Sequence, residues 1–481
     1  MTTSNREFVE TFQRFLTDVI STSVSTPGGP TPLGEITDDF LGASSAQLPI
    51  VRHELAPHRL VDADLALDEL RARGGEPVLG VSGGQQREHM SFSELLNNTH
   101  SRFGPGPIDY VSMADGPDST RRVIMFGVHR IVFDGTPVVV LQRGAQPQFG
   151  RNQALIEVLA VDPATSSRFL DEFGRLMLSL SVLRGRVLSF TGNEFGNHAA
   201  GATFLPRPIV DADDVVLGPG TLETIVRHVV GIGEQRDRLR AAGQHLKRGV
   251  LLYGPPGTGK TLTVRHLLAR TPETTAVLLT GSSIQFITEA AELARAMQPA
   301  IVVLEDVDLV AEQRTMHHPQ PLLFAVLDAL DGLDGDADVT FILTTNRVEA
   351  LERALAERPG RVDLAVEIPL PDAAARRRLF QRYAEALPFS VTALNAAADR
   401  AEGTTGSFAK ELVRRAVLAA AEADRAITDD DLSTSLDALL ADRAQLSRNL
   451  LGDGGGGGDG DGQAESGGSW SAVVGSYAPT A

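Results

Sequence analysis

At about 150 residues per domain, 481 residues suffice for about three domains. A hydrophobic share of 42%, a charged share of 22% and a mean hydropathy of -0.04 speak against bulk disorder and membrane residence. Forty-four Lys and Arg against 62 Asp and Glu leave a net charge of -18, which disfavours a phosphate backbone as main partner, and zero cysteines exclude disulfides, Cys-ligated zinc, iron–sulfur clusters and thiol catalysis.

Phe8, Phe12, Phe15, Leu16, Val19 and Ile20 recur at helical spacing, so an amphipathic helix is expected to open the chain and to pack on its own domain. An adaptor or oligomer contact is the alternative. Residues 27–107 are broken by Pro and Gly, and only a short helix over 64–71 is placed there. Runs at 123–128, 137–141 and 154–160 read as strands, 163–183 as a helix and 186–190 as a further strand. That β-β-β-α-β order predicts an α+β N-terminal domain over 106–208, after a helical or irregular region over 1–105, and Pro206-Arg207-Pro208 closes it.

From Asp213 a helix over 222–230 leads into a strand over 250–253. Runs at 276–279, 301–304, 340–343 and 364–368 then alternate with helical stretches, which predicts an α/β unit over 209–370 with a parallel sheet wrapped by helices. An Ala/Leu/Arg-rich helical subdomain is expected over 371–450. A Gly/Asp-rich flexible tail over 451–481 comes last, holding the single Trp, Trp470. With no apolar run long enough for a membrane helix and no basic segment leading into an apolar stretch, no integral membrane segment is expected, and a cytoplasmic setting is.

Gly254-Pro255-Pro256-Gly257-Thr258-Gly259-Lys260-Thr261, continued by Leu262, sits between a predicted strand and a predicted helix, the context a P-loop requires. Glycines let the backbone turn its N–H groups inward as an anion nest, and the next helix adds its positive N-terminal dipole. Lys260 is then expected to reach the β- and γ-phosphates of a nucleotide, and the Thr261 hydroxyl to ligate Mg²⁺.

Over residues 213–421 the octapeptide and the motifs downstream of it resemble the AAA family of ATPases. The apolar run Ile301-Val302-Val303-Leu304 ending in Glu305-Asp306 looks like the family's Walker B strand, with the commoner Asp-Glu order inverted. That inversion resembles the subgroup containing the mitochondrial Rieske-protein translocase. The resemblance implies Glu305 on Mg²⁺ and Asp306 as the base that deprotonates the attacking water. It also implies Asn346 as the sensor of that water and Arg358 and Arg361 as arginine fingers reaching a neighbouring subunit's site. Gly406 and Ser407 would form the nucleotide-contacting turn of the helical subdomain.

The family's aromatic-hydrophobic-glycine pore loop is absent. Phe286 stands at the corresponding place, as a pore residue or equally as core. His317 and His318 lie in a polar stretch and read as exposed loop. Tyr477, with four more residues after it, lacks the terminal docking pattern of proteasomal ATPases, so the tail is an inert solubiliser or a tethered peptide. Taken with the resemblance, the expectation is an ATP- and Mg²⁺-dependent homo-oligomer, a hexamer in this family, that engages a protein client through its N-terminal domain and remodels it. A nucleotide-gated scaffold and, less in keeping with the charge, a nucleic-acid motor are the alternatives.

Overall fold

The computed structural model describes residues 29–98, 101–191, 201–308, 337–347 and 362–452. In the N-terminal part, β1 (Ile50–Leu55), β2 (Asp109–Ala114), β3 (Thr120–Phe133), β4 (Thr136–Arg143) and β5 (Ala154–Ala160) form one antiparallel sheet in the order β1-β5-β4-β3-β2. Helices α1 (Leu60–Gly74) and α2 (Pro163–Ser179) cover it, burying Leu67, Phe169 and Phe173 against Val138, Val140 and Val158. Two expectations are corrected here. Residues 50–55 are a strand of this sheet and 60–74 a helix packed on it, so the N-terminal domain begins before residue 106 and takes in part of the region expected as helical or irregular. The run at 186–190, expected as the last N-terminal strand, is β6 (Val187–Thr191), and it joins the second sheet.

Among the described residues that second sheet has seven strands. It contains β6, β7 (Gly201–Leu205), β8 (Arg248–Tyr253), β9 (Thr275–Thr280), β10 (Ala300–Glu305), β11 (Val339–Thr345) and β12 (Leu364–Glu367), in the order β12-β8-β11-β10-β9-β6-β7. All neighbours run parallel except β6 and β7. Successive residues of a strand point to opposite faces, and both faces are covered, which is why the runs are continuously apolar. Val250, Ile301, Val303 and Ile342 meet Val264 and Leu267 of α3 (Lys260–Ala269). Val302, Leu304 and Phe341 meet Ile287 and Ala290 of α4 (Ile287–Ala296) on the other side. The expected helix over 222–230 is Thr221–Val226 continued by a π-turn at Arg227–Gly231.

Among the described residues the last four helices are α5 (Ala373–Tyr383), α6 (Val391–Arg400), α7 (Gly406–Glu422) and α8 (Asp429–Gly452). They share a separate core that includes Phe380, Leu412 and Leu436. Among the described residues no helix is long and apolar enough to cross a membrane.

Candidate nucleotide site

The site forms at the carboxyl ends of three adjacent parallel strands, where an open α/β sheet leaves a crevice. After β8 the chain turns through Gly254, Gly257 and Gly259, whose φ values of 142°, 77° and 112° are open to glycine and costly for other residues. The space is as restrictive as the angle. A Cβ on Gly254 would meet the Ile368 carbonyl oxygen at 2.2 Å, and one on Gly257 would meet Ser407 Oγ at 2.8 Å. Thr258 Oγ1 donates to the Pro255 carbonyl at 2.9 Å, closing the turn, and α3 begins at Lys260.

Lys260 is buried, and its Nζ donates to the carbonyls of Gly254 (2.7 Å) and Pro255 (2.9 Å) and to Asn346 Oδ1 (2.8 Å). Burial lowers the ammonium pKa from its ordinary value, while the charges of Asp306 and Asp308 oppose that shift. Asn346 stands just past the end of β11, the strand that lies between β8 and β10 in the sheet. Its Nδ2 donates to Asp306 Oδ1 at 3.2 Å, so phosphate loop, strand-end amide and strand-end acid form one polar chain. Asp306 takes a φ of 52°, uncommon for a residue with a Cβ, and its N–H donates to Thr344 Oγ1 at 3.1 Å. Glu305 turns the other way. Burial raises the pKa of its carboxyl from the ordinary value, and the neighbouring Thr261 hydroxyl opposes that rise.

Asp308 has no role assigned from the sequence, and the structure supplies one. This buried carboxylate accepts from the Asn346 N–H (3.1 Å) and from Thr345 Oγ1 (3.0 Å), fixing the backbone that carries the Asn346 amide. Gly406 and Ser407 lie at the start of α7, where the Ser407 N–H donates to the Gly257 carbonyl at 3.2 Å. Pro256, Thr261, Leu262, Asp306, Asn346 and Ser407 line a cleft of about 410 Å³. The opposite wall, which the sequence does not reveal, consists of residues 214–217 together with Leu379 and Tyr383 of α5. Asp214 is joined there to Arg382, whose Nε lies 2.9 Å from Asp214 Oδ1. A contact across 168 positions leaves no periodic signal in the chain.

Of the two readings of Phe286, the structure gives the core one, since the ring is buried with its centroid 6.2 Å from that of Phe190. Arg358, Arg361, His317, His318, the opening helix over 8–20, Trp470 and Tyr477 lie outside the described residues.

A glycine-built anion turn between strand and helix, a buried lysine beside it and acids at the neighbouring strand ends define a P-loop nucleotide-binding module. Residues 250–370 match the family model described as ATPase family associated with various cellular activities, AAA. The proteasome-activating nucleotidase of Methanopyrus kandleri is 30% identical over 346 residues, which are 68% of this chain and 75% of that protein. The chain belongs to the AAA family. It is also 32% identical over 305 residues to the ATP-dependent zinc metalloprotease FtsH 2 of Sphaerobacter thermophilus, covering 57% of this chain and 46% of that one. The 26S proteasome regulatory subunit 4 homolog of Oryza sativa subsp. japonica is 38% identical over 149 residues, 28% and 33% of the two chains. The chain thus spans about half or less of the length of these last two relatives.

Proposed function

We propose that this chain hydrolyses ATP in the presence of Mg²⁺ and acts, as a ring of like subunits, as a protein-remodelling motor. The observation that carries the reading is the Lys260–Asn346–Asp306 chain, which brings together the groups that phosphoryl transfer to water requires. Backbone N–H groups of residues 256–261 and the start of α3 would hold the phosphates, and Lys260 would meet the β- and γ-oxygens. Residues 214–217, Leu379 and Tyr383 would enclose the rest of the nucleotide.

Thr261 and Glu305, which lie side by side, fit a Mg²⁺ that takes few protein ligands and completes its shell with water and phosphate. When bound, that ion neutralises charge on the phosphate oxygens. Asn346 would hold a water, and Asp306 would take its proton. We place the chain near the Glu-Asp Walker B subgroup, with Arg358 and Arg361 acting on a neighbour's site, six subunits to the ring, a client at the N-terminal sheet domain and a cytoplasmic setting.

Phosphate release from ATP tests the reading. Release that requires Mg²⁺ and stops with a chelator supports it; none with Mg²⁺ present sinks it. For the ring, wild type mixed with Arg358→Ala should lose more activity than dilution explains, whereas strictly proportional loss means that each subunit works alone.

A further inference from the structure

Between β7 and the cleft, residues 206–217 run as a strap along α3, the helix that opens at Lys260. The strap is fastened at three levels. At the carboxyl end of α3, Arg207 spends its guanidinium on four backbone carbonyls. Nη1 donates to Leu268 (2.8 Å) and Thr271 (3.0 Å), and Nη2 donates to Gly185 (3.0 Å) and Thr274 (2.7 Å). The Leu268 carbonyl belongs to the last turn of α3, where helix geometry leaves acceptors without an intrahelical donor, and Thr271 lies two residues past that end. Further along, His266 of α3, which is 2% exposed, lies with Nδ1 2.9 Å from the Val210 carbonyl, so that nitrogen carries the proton. At the far end a Cβ on Gly259 would touch Leu217 Cδ2 at 3.8 Å, so the strap arrives beside the phosphate loop. Its last four residues, 214–217, form one wall of the cleft.

The wall is the end of one 3-10 turn, Ala212–Asp214, followed by three residues outside any helix or strand; Asp214 ties it to α5 through Arg382, and its distance from α3 depends on what anchors the chain before it. We propose that Arg207 and His266 are positioning residues of the nucleotide site, clamping the 206–217 strap to α3 so that residues 214–217 stand at a fixed distance from the phosphate loop. Neither side chain lines the cleft. The proposal rests on reading that cleft as the nucleotide site. Loss of either anchor lets the wall move away from the nucleotide while leaving Lys260, Asp306 and Asn346 in place, so binding weakens and the chemical step does not.

The test uses the full chain, a fluorescent ATP analogue for affinity and phosphate release for turnover. His266→Leu removes the donor, whereas His266→Asn keeps an N–H where Nδ1 stood. His266→Leu should raise Kd and KM about tenfold with kcat within about twofold, and His266→Asn should stay within about twofold of wild type in all three. Arg207→Gln should behave like His266→Leu. Arg207→Lys should not rescue it, because one ammonium on a flexible stem does not reproduce a planar fork that serves four carbonyls. Unchanged affinity in His266→Leu, or an equal loss in His266→Asn, overturns the proposal even if Arg207→Gln fails to fold. A wild-type chain that does not bind the analogue at all overturns instead the nucleotide reading on which the proposal rests.

Discussion

Lys260 Nζ donates to Asn346 Oδ1 at 2.8 Å although the two residues stand 86 positions apart, which ties the end of β11 to the phosphate loop after β8. Asn346 therefore has one end of its amide on the loop's cation and the other on Asp306. In the proposed reaction that amide holds the water in line, and its removal should cost orientation more than binding.

Asn346→Ala is expected to lower phosphate release about a hundredfold while nucleotide affinity changes by no more than about threefold. Steady-state release and analogue titration on the same preparation measure both. A comparable loss of affinity would make Asn346 a binding group.

Gly257→Ala combines an unfavourable φ of 77° with a Cβ 3.0 Å from Thr405 Oγ1 and 2.8 Å from Ser407 Oγ. Strain of this kind costs about 1–3 kcal/mol, and relief by shifting α7 would pull Ser407 from the loop carbonyl it donates to. The expected result is a lower Tm together with nucleotide affinity reduced tenfold or more, which thermal melts and analogue titration would show. Wild-type values in both would mean that α7 does not pack on the loop through Ser407.

Much of this site is legible in the chain, because the phosphate loop and the strand-end acids come directly after short apolar runs, and Asn346 comes two threonines after another. The N-terminal architecture is less so. Helix α1 buries Asp62 and Asp64, the first against Arg59 and Ser181 and the second against the Ile124 N–H and Gln142, so polar residues interrupt its apolar stripe. Strand β1 lies between Pro49 and Pro57 at a sheet edge with Arg52, His53 and Glu54 all exposed, and shows little alternation. β6 is legible as a strand, but nothing in its composition says which sheet it joins. The cleft wall at 214–217 is invisible because its partners on α5 are far away in sequence.

Glu305 supplies a pH signature of the nucleotide-free protein. Burial raises its carboxyl above the ordinary value of 4.5, so the folded state binds that proton more tightly than the unfolded state does. Its contribution to stability is therefore greatest below about 4.5 and is lost as pH rises through the raised folded value. Glu305→Gln, which keeps the shape and removes the charge, should raise Tm at pH 7 in the presence of a chelator, with the gain shrinking towards pH 4.5. A variant less stable than wild type at pH 7 would contradict this.

In the proposed reaction Asp306 removes the proton from the attacking water while the phosphate loop, Thr261 and Glu305 bind the nucleotide with its metal. Phosphate release and analogue binding by Asp306→Asn, measured side by side with Mg²⁺ present, test this division of labour most directly. Binding should stay within about threefold of wild type, and phosphate release should fall at least a hundredfold. Near-normal release from Asp306→Asn would contradict the assignment and move the base to another group.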